Sequence, residues 1–196
     1  MNKITVIGTE DGAQAQTYTR KGEIFYTISL LTARKSGAVD KLSVVIPGVI
    51  LQDLNTDDKI KICGEVRTRM DREGHKIIYV FAKSVENTKE EDCNIVEVMG
   101  KVCTRPYYRE TPKGRQITEI TVLTCRKCGV NDFVPCIAWG RQAHMAALSD
   151  LSADIYIRGR LQSRDYNKCT DEGNIIKTAY EVSANEIVYM DYLNTN

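Results

Sequence analysis

The segment Phe133-Val134-Pro135-Cys136-Ile137-Ala138-Trp139 alternates small with large side chains. As a strand it puts Val134, Cys136 and Ala138 on one face and Phe133, Pro135, Ile137 and Trp139 on the other. Small residues suit the crowded inside of a small barrel, which leaves a broad apolar stripe pointing into water. Such a stripe needs a ligand or a second protein surface to cover it. Aromatic rings stack on any base at roughly 1–3 kcal/mol each, so an unpaired polynucleotide fits the stripe. The reverse assignment, with Phe133 and Trp139 in the core, satisfies the same alternation. The pattern does not choose between them.

Charges gather near this strand. Lys101, Arg105, Arg109, Lys113 and Arg115 meet a single acid, Glu110, and Tyr107 and Tyr108 sit among them. A following hairpin adds Arg126 and Lys127, and a later strand adds Arg158, Arg160 and Arg164, with Tyr166 just beyond. Cations interleaved with aromatics suit a groove that tracks a phosphate backbone while bases stack. The charges alone read equally as a solvated surface; joined to the apolar stripe, they favour binding.

Other chemistry has little to stand on. Neither a phosphate-cradling Gly-rich loop ending in Lys nor a G-x-S-x-G elbow occurs, so no enzyme is expected. The two histidines, His75 and His144, fall in a turn and on a helical stretch, as surface or packing residues do. Cys125-x-x-Cys128 is half of a structural zinc pattern, but no second close pair follows, so neither metal nor cofactor is expected.

The elements that must position these residues come from an internal repeat. Asn2-Lys3-Ile4-Thr5-Val6-Ile7-Gly8 matches Asn94 to Gly100 at a shift of 92, and Ile28 to Thr32 matches Ile120 to Thr124 at the same shift. Farther on, Ile60-Lys61-Ile62-Cys63-Gly64-Glu65 answers Ile155-Tyr156-Ile157-Arg158-Gly159-Arg160 at 95. The pairs Ile4/Val6, Ile28/Leu30, Leu42/Val44/Ile46 and Ile60/Ile62 keep strand periodicity. Turns are predicted at Arg72-Glu73-Gly74 and Asp171-Glu172-Gly173, and a helix at Arg141 to Leu148. Five strands with a helix between the third and fourth, in about 95 residues, is the OB arrangement. The fold expected is therefore all-β: two tandem five-stranded OB-fold barrels, each with a short helix between strands 3 and 4. The first spans 1–88 and the second 93–191, with Glu86 to Asp92 as a polar, acidic linker.

The copies differ in charge and in aromatics. Residues 1–92 hold 14 basic and 14 acidic groups, and a shift of 91 sets Leu42 and Gly48 against Phe133 and Trp139. The first copy thus keeps the scaffold without most platforms, though Tyr18, Arg20, Lys21, Phe25 and Tyr26 could touch a passing strand. Modules this small should lean on each other or on a partner chain. With a net charge of only +1 over 196 residues, any phosphate binding must rest on local arrangement. The start, Met1-Asn2-Lys3-Ile4, carries no secretory pattern, and no apolar run approaches ~20 residues, so no membrane association is expected. Seven scattered cysteines read as free thiols in a reducing compartment, by default the cytoplasm.

The second copy resembles bacterial single-stranded DNA-binding proteins over residues 94–190. Carrying the resemblance are Val98-Met99-Gly100-Lys101-Val102, Thr111-Pro112-Lys113-Gly114-Arg115, Phe133 to Ala143, and Ile157-Arg158-Gly159-Arg160-Leu161-Gln162-Ser163-Arg164-Asp165-Tyr166. It implies that Phe133, Trp139 and Tyr166 point outward and stack on bases. With Tyr107 among them, Arg105, Arg109, Lys113, Arg126, Lys127 and Arg164 would neutralise phosphates. The resemblance also implies four OB modules per assembly, hence a homodimer of this two-module chain. There are departures. The hairpin Thr124 to Asn131 is short, and the chain closes on Asp191-Tyr192-Leu193-Asn194-Thr195-Asn196, without the acidic Phe-ended tail that recruits other proteins. A competing role is a protein-interaction or primosome accessory module that uses the Phe133/Trp139 face for a protein partner.

Overall fold

The computed structural model describes residues 1–12, 15–20, 22–51, 59–170 and 173–190, leaving the side chains at 15–18, 20, 166, 168–170 and 173–177 outside that description. The predicted turn at Asp171-Glu172 and the final residues from Asp191 on also lie outside the described residues, as does Lys21.

Alternation of apolar residues produces twelve strands among the described residues. In the first half these are β1 (Asn2–Glu10), β2 (Ala15–Arg20), β3 (Glu23–Ala33), β4 (Val39–Pro47), β5 (Lys59–Met70) and β6 (Lys76–Thr88). In the second they are β7 (Cys93–Val102), β8 (Tyr107–Glu110), β9 (Gln116–Cys125), β10 (Asn131–Trp139), β11 (Asp154–Thr170) and β12 (Gly173–Tyr189). The inward residues of β1, β3, β4 and β5 named from periodicity are all essentially buried, and they form one core cluster with Val96, Val122, Val134, Ile155 and Ile157. Edge strands β2 and β8, paired with β3 and β9, are additions that the five-strand reading missed. Likewise β6 runs through Thr88, so only 89–92 separate the halves.

In each half the pairing closes on itself. β1 bonds to β5 and β3, β3 to β4, and β6 to β5, while β4 and β6 run parallel. The second half repeats this with β7, β9, β10, β12 and β11, where β10 and β12 supply the parallel pair. Two separate sheets do not result. β1 also pairs antiparallel with β7, and hydrogen bonding runs through one sheet of twelve strands. The expectation of a helix in each half is corrected too. Among the described residues there is one α-helix, α1 (Arg141–Ala147), which buries Ala143 and Ala146. The first half has a 3₁₀ turn, Gly48–Ile50, at that point, and 52–58 lie outside the described residues.

Equivalent residues meet at the seam. The β1–β7 register pairs Ile4 with Val96, partners at a shift of 92, so a local twofold axis passes between them. Asn2 donates its side-chain amide to the Val66 carbonyl (2.6 Å) and accepts from the Val66 N–H (3.0 Å). Asn94 does the same with Leu161 at 2.7 and 3.0 Å. Two fully buried aspartates complete the seam. Asp132 takes Arg126 Nε at 2.6 Å and Nη2 at 2.5 Å, and it accepts the N–H of Thr68 from the other half at 2.6 Å. Asp40 is held by Arg34 through Nε at 2.7 Å and through Nη2, and it accepts the Ser163 N–H at 3.0 Å. Backbone N–H groups then answer in kind: Phe133 donates to Thr68 Oγ1 and Lys41 to Ser163 Oγ, both at 2.9 Å.

These contacts correct the repeat alignment in β4. Lys41, not Leu42, corresponds to Phe133, and Pro47, not Gly48, corresponds to Trp139, because the shift stays at 92 through Thr32↔Asp40 and Thr124↔Asp132. Four glycines mark where strands bend. A Cβ on Gly8, Gly64, Gly100 or Gly159 would stand 2.0–2.2 Å from a carbonyl oxygen of the neighbouring strand, closer than any side chain allows. Register slips beside Gly64 and Gly159 show the bulges these approaches serve.

Two stability outcomes follow. Gly159→Ala should cost at least about 1–3 kcal/mol by crowding the Ser183 carbonyl, read as a lowered midpoint in denaturant unfolding. Asp132→Ala should cost about 3–5 kcal/mol, because it strands the Arg126 charge and the Thr68 N–H together; a change under about 1 kcal/mol would remove the clamp from the account.

Candidate nucleic-acid interface

The outer surface of β8, β9 and β10 is built by register. Phe133 lies beside Leu123, Pro135 beside Thr121, Ile137 beside Glu119 and Trp139 beside Ile117, while across β9 Tyr107 lies beside Glu119 and Arg109 beside Ile117. Six residues of strand separate Phe133 from Trp139, roughly 20 Å at ~3.3 Å per residue. The two rings face solvent at 43% and 38% exposure, while Val134, Cys136 and Ala138 are buried. Burial also pushes the Cys136 thiol up, as for an inert core cysteine. Ile137 departs from the outward pattern and is only 5% exposed. The exposed stripe is therefore two aromatics flanking a covered middle, with Tyr107 (60% exposed) and Arg105 lining a shallow depression over Pro135.

The predicted cations divide. Arg105, Lys113, Lys127 and Arg164 are exposed. Arg109 is half-buried and donates to Glu119 at 2.7 Å, a partly solvated pair that a phosphate can compete for. Arg126 is not available in that sense. The hydrogen bonds to buried Asp132 hold its guanidinium and raise its pKa further, and its Nη2 also donates to the Thr68 carbonyl at 3.2 Å. It is a structural group of the seam. Tyr166 lies in β11 opposite Lys177, but its side chain is outside the described residues. In the first half Phe25 is buried, packed 6.2 Å from Phe81, and offers no platform. Side chains of Tyr18 and Arg20 lie outside the described residues.

One groove opens at Trp139 and a second joins it through Arg34 and Arg160, and the sequence marks neither as a unit. One, of about 490 Å³, is lined by Trp139, Arg115, Arg160 and Arg164, with Arg34 from the first half. The second, of about 520 Å³, shares Arg34 and Arg160 and continues over Lys35 and Ser36 to Ile95. Arg160 donates to Gln162 Oε1 at 3.1 Å, and its buried Nε has no partner. Burial lowers its pKa and the neighbouring Arg34 charge lowers it further, which the nearby Asp40 carboxylate only partly offsets. Arg34 drew no attention because it belongs to the half with balanced charge. Its one signal was the repeat, which sets Arg34 and Asp40 on Arg126 and Asp132.

The remaining residues singled out do other work. His144 Nε2 lies 2.8 Å from Gln116 Oε1, with its ring 5.5 Å from that of Tyr108, tying α1 to β8 and β9. His75 lies in the Arg72-Glu73-Gly74 turn, where Asp71 accepts backbone N–H groups from Glu73 and His75. Cys125 and Cys128 are both exposed on the β9–β10 hairpin. Among the described residues no helix is long and apolar enough to cross a membrane.

Comparison with known proteins gives a consistent picture. No curated protein sequence matches the chain. Among solved structures, the wild-type single-stranded DNA binding protein from Thermus aquaticus superposes with a TM-score of 0.77 at 20% identity, over 96% of this chain and 92% of that one. A deletion mutant of the same protein gives 0.74 at 19% identity, over 96% and 94%. At that identity the likeness is one of fold. The single-strand binding protein family model matches residues 93–190, half of the sequence, from the start of β7 to just past the end of β12. The chain belongs to the single-strand binding protein family.

Proposed function

We propose that this protein binds single-stranded DNA without regard to sequence and serves replication, recombination or repair by shielding unwound strands. The observation that carries this is the pair of exposed rings on β10. Phe133 and Trp139 stand free of the core on a strand whose other face is fully buried. Family membership supports the ligand, and no reaction is catalysed.

In this reading the chain is two OB barrels, 1–88 and 93–191, joined along β1 and β7, and the second is the main binding module. Bases stack on Phe133, Trp139 and Tyr166, with Tyr107 alongside. Arg105, Arg109, Lys113, Lys127 and Arg164 meet phosphates; Arg126 is withdrawn from that set because Asp132 holds it. Arg160 joins it, since a half-buried guanidinium that no acid ion-pairs has much to gain from a phosphate. The first barrel is mainly scaffold. Lys41 and Pro47 replace its platforms, Arg67 lies 3.5 Å over the Phe81 ring, and Glu65 pairs with Arg67 and Lys83.

Two chains would give four barrels. Ile95 and Met99 are exposed on the outer side of β7, next to Met1 at the seam, and offer an apolar face for a second copy. The free thiols of the described residues fit a reducing cytoplasm.

Trp139 is the chain's single tryptophan, so titration with oligo(dT) reads it directly. Its emission should be strongly quenched on binding. Trp139→Ala should weaken binding by about 1–3 kcal/mol, or roughly 5- to 150-fold. Binding without quenching would move the strand off this face. Arg164→Ala should lower affinity alike for dT and mixed oligomers and reduce the slope of log K against log salt by about 0.7–1. An unchanged slope would remove that phosphate contact.

A further inference from the structure

The local twofold gives the molecule two seam grooves, one on each side of β1 and β7, and the sequence has treated them differently. The first is the Arg34–Lys35–Arg160 groove that continues to Trp139. Its twin is lined by Glu65, Lys83, Arg126 and Lys127, with Asp132 at its base. The hairpin arginines match, since each is spent on its own buried aspartate. What differs is the strand residue facing them: Arg160 on one side, and on the other Glu65, its equivalent at a shift of 95.

That single difference sets the electrostatics. Glu65 receives Lys83 and, at 3.1 Å, Arg67. Burial pushes its carboxyl up, but the hydrogen bonds from Lys83 and Arg67 outweigh this and leave it below the ordinary range. Lys83, Arg67 and Arg126 are thus satisfied within the protein, and of the side-chain cations lining the twin groove only exposed Lys127 has no ion pair among the described residues. In the first groove the Arg160 guanidinium makes no ion pair or hydrogen bond with a carboxylate among the described residues, since nearby Asp40 is taken by Arg34, and exposed Lys35 stands farther along the same channel. Trp139 opens onto this groove alone, whereas the matching position in the first half is Pro47. An unpaired, partly desolvated guanidinium beside an open ring is arranged for a phosphate and its base.

We infer that a bound single strand leaves Trp139 along the Arg160–Arg34 groove and crosses onto the first half over Lys35, and that the Glu65–Lys83 side of the twin groove is not part of the path. This rests on the single-strand-binding reading above and adds the route to it. It also gives the first half a defined part, the continuation of the phosphate track past the seam.

The test compares two lengths of oligo(dT) on the full chain. One of about 8 nucleotides lies within the range a single OB fold covers, and one of about 30 is long enough to cross the seam. Lys35→Glu should weaken the long oligomer about tenfold, the worth of one charge-assisted contact, and leave the short one within about twofold. Lys83→Ala, which removes a charge from the Glu65 side of the twin groove, should alter neither. Arg160→Ala should weaken both lengths, and Arg160→Lys should restore most of the loss, which separates lost charge from lost folding. Equal effects of Lys35→Glu and Lys83→Ala, or none from Lys35→Glu on the long oligomer, would overturn the route while short-oligomer binding persists. If the unaltered chain holds neither oligomer, the single-strand reading falls and the route with it.

Discussion

The antiparallel pairing of β1 with β7 is the contact on which the rest of this molecule depends. It joins equivalent strands at equivalent residues, Ile4 against Val96, and turns two closed sets of strands into one continuous sheet. Small modules bury too little apolar surface to be comfortable alone, and here each borrows an edge from the other. Backbone pairing by itself would tolerate slippage. Side chains pin it: Asn2 and Asn94 each grip the backbone of the next strand, and Asp40 and Asp132 each reach across to a backbone N–H of the opposite half.

A buried carboxylate is a poor source of net stability but a strict one, since its desolvation is offset only when every partner is in place. Asp132 satisfies this with a two-pronged arginine and a backbone N–H, and Asp40 repeats the arrangement. The seam geometry is therefore specified twice. The consequence for function is subtractive: Arg34 and Arg126 are fixed, and only the cations that no buried acid holds remain to meet phosphate. That rule separates Arg160 from Arg126 although both lie near the seam.

Duplication also allowed the halves to diverge on one scaffold. The bending glycines persist in both, because the clash of a Cβ with a neighbouring carbonyl is the same in each. The surface does not persist. Where the second half presents Phe133, Trp139 and Arg160, the first presents Lys41 and Glu65, buries Pro47, and folds its arginines onto Phe81 and Tyr79. At the seam, Glu65 closes Arg67 and Lys83 of the first half onto itself, while Arg160 of the second makes no such pair.

Much of this was legible in the amino-acid order. Period-two alternation located the core strands, the 92-residue repeat showed two like halves, and the small–large alternation of Val134, Cys136 and Ala138 against Phe133 and Trp139 reduced the site to a choice of faces. These are local properties, carried by neighbours along one strand. Tertiary structure decided what depends on contacts far apart in sequence. It put Phe133 and Trp139 outward yet covered Ile137, and it joined the halves into one sheet. It held Arg126 on Asp132 and brought Arg34 within one groove of Trp139 and Arg160. Whether a cation is spent or available depends on which acid folds against it, and no spacing along the chain encodes that.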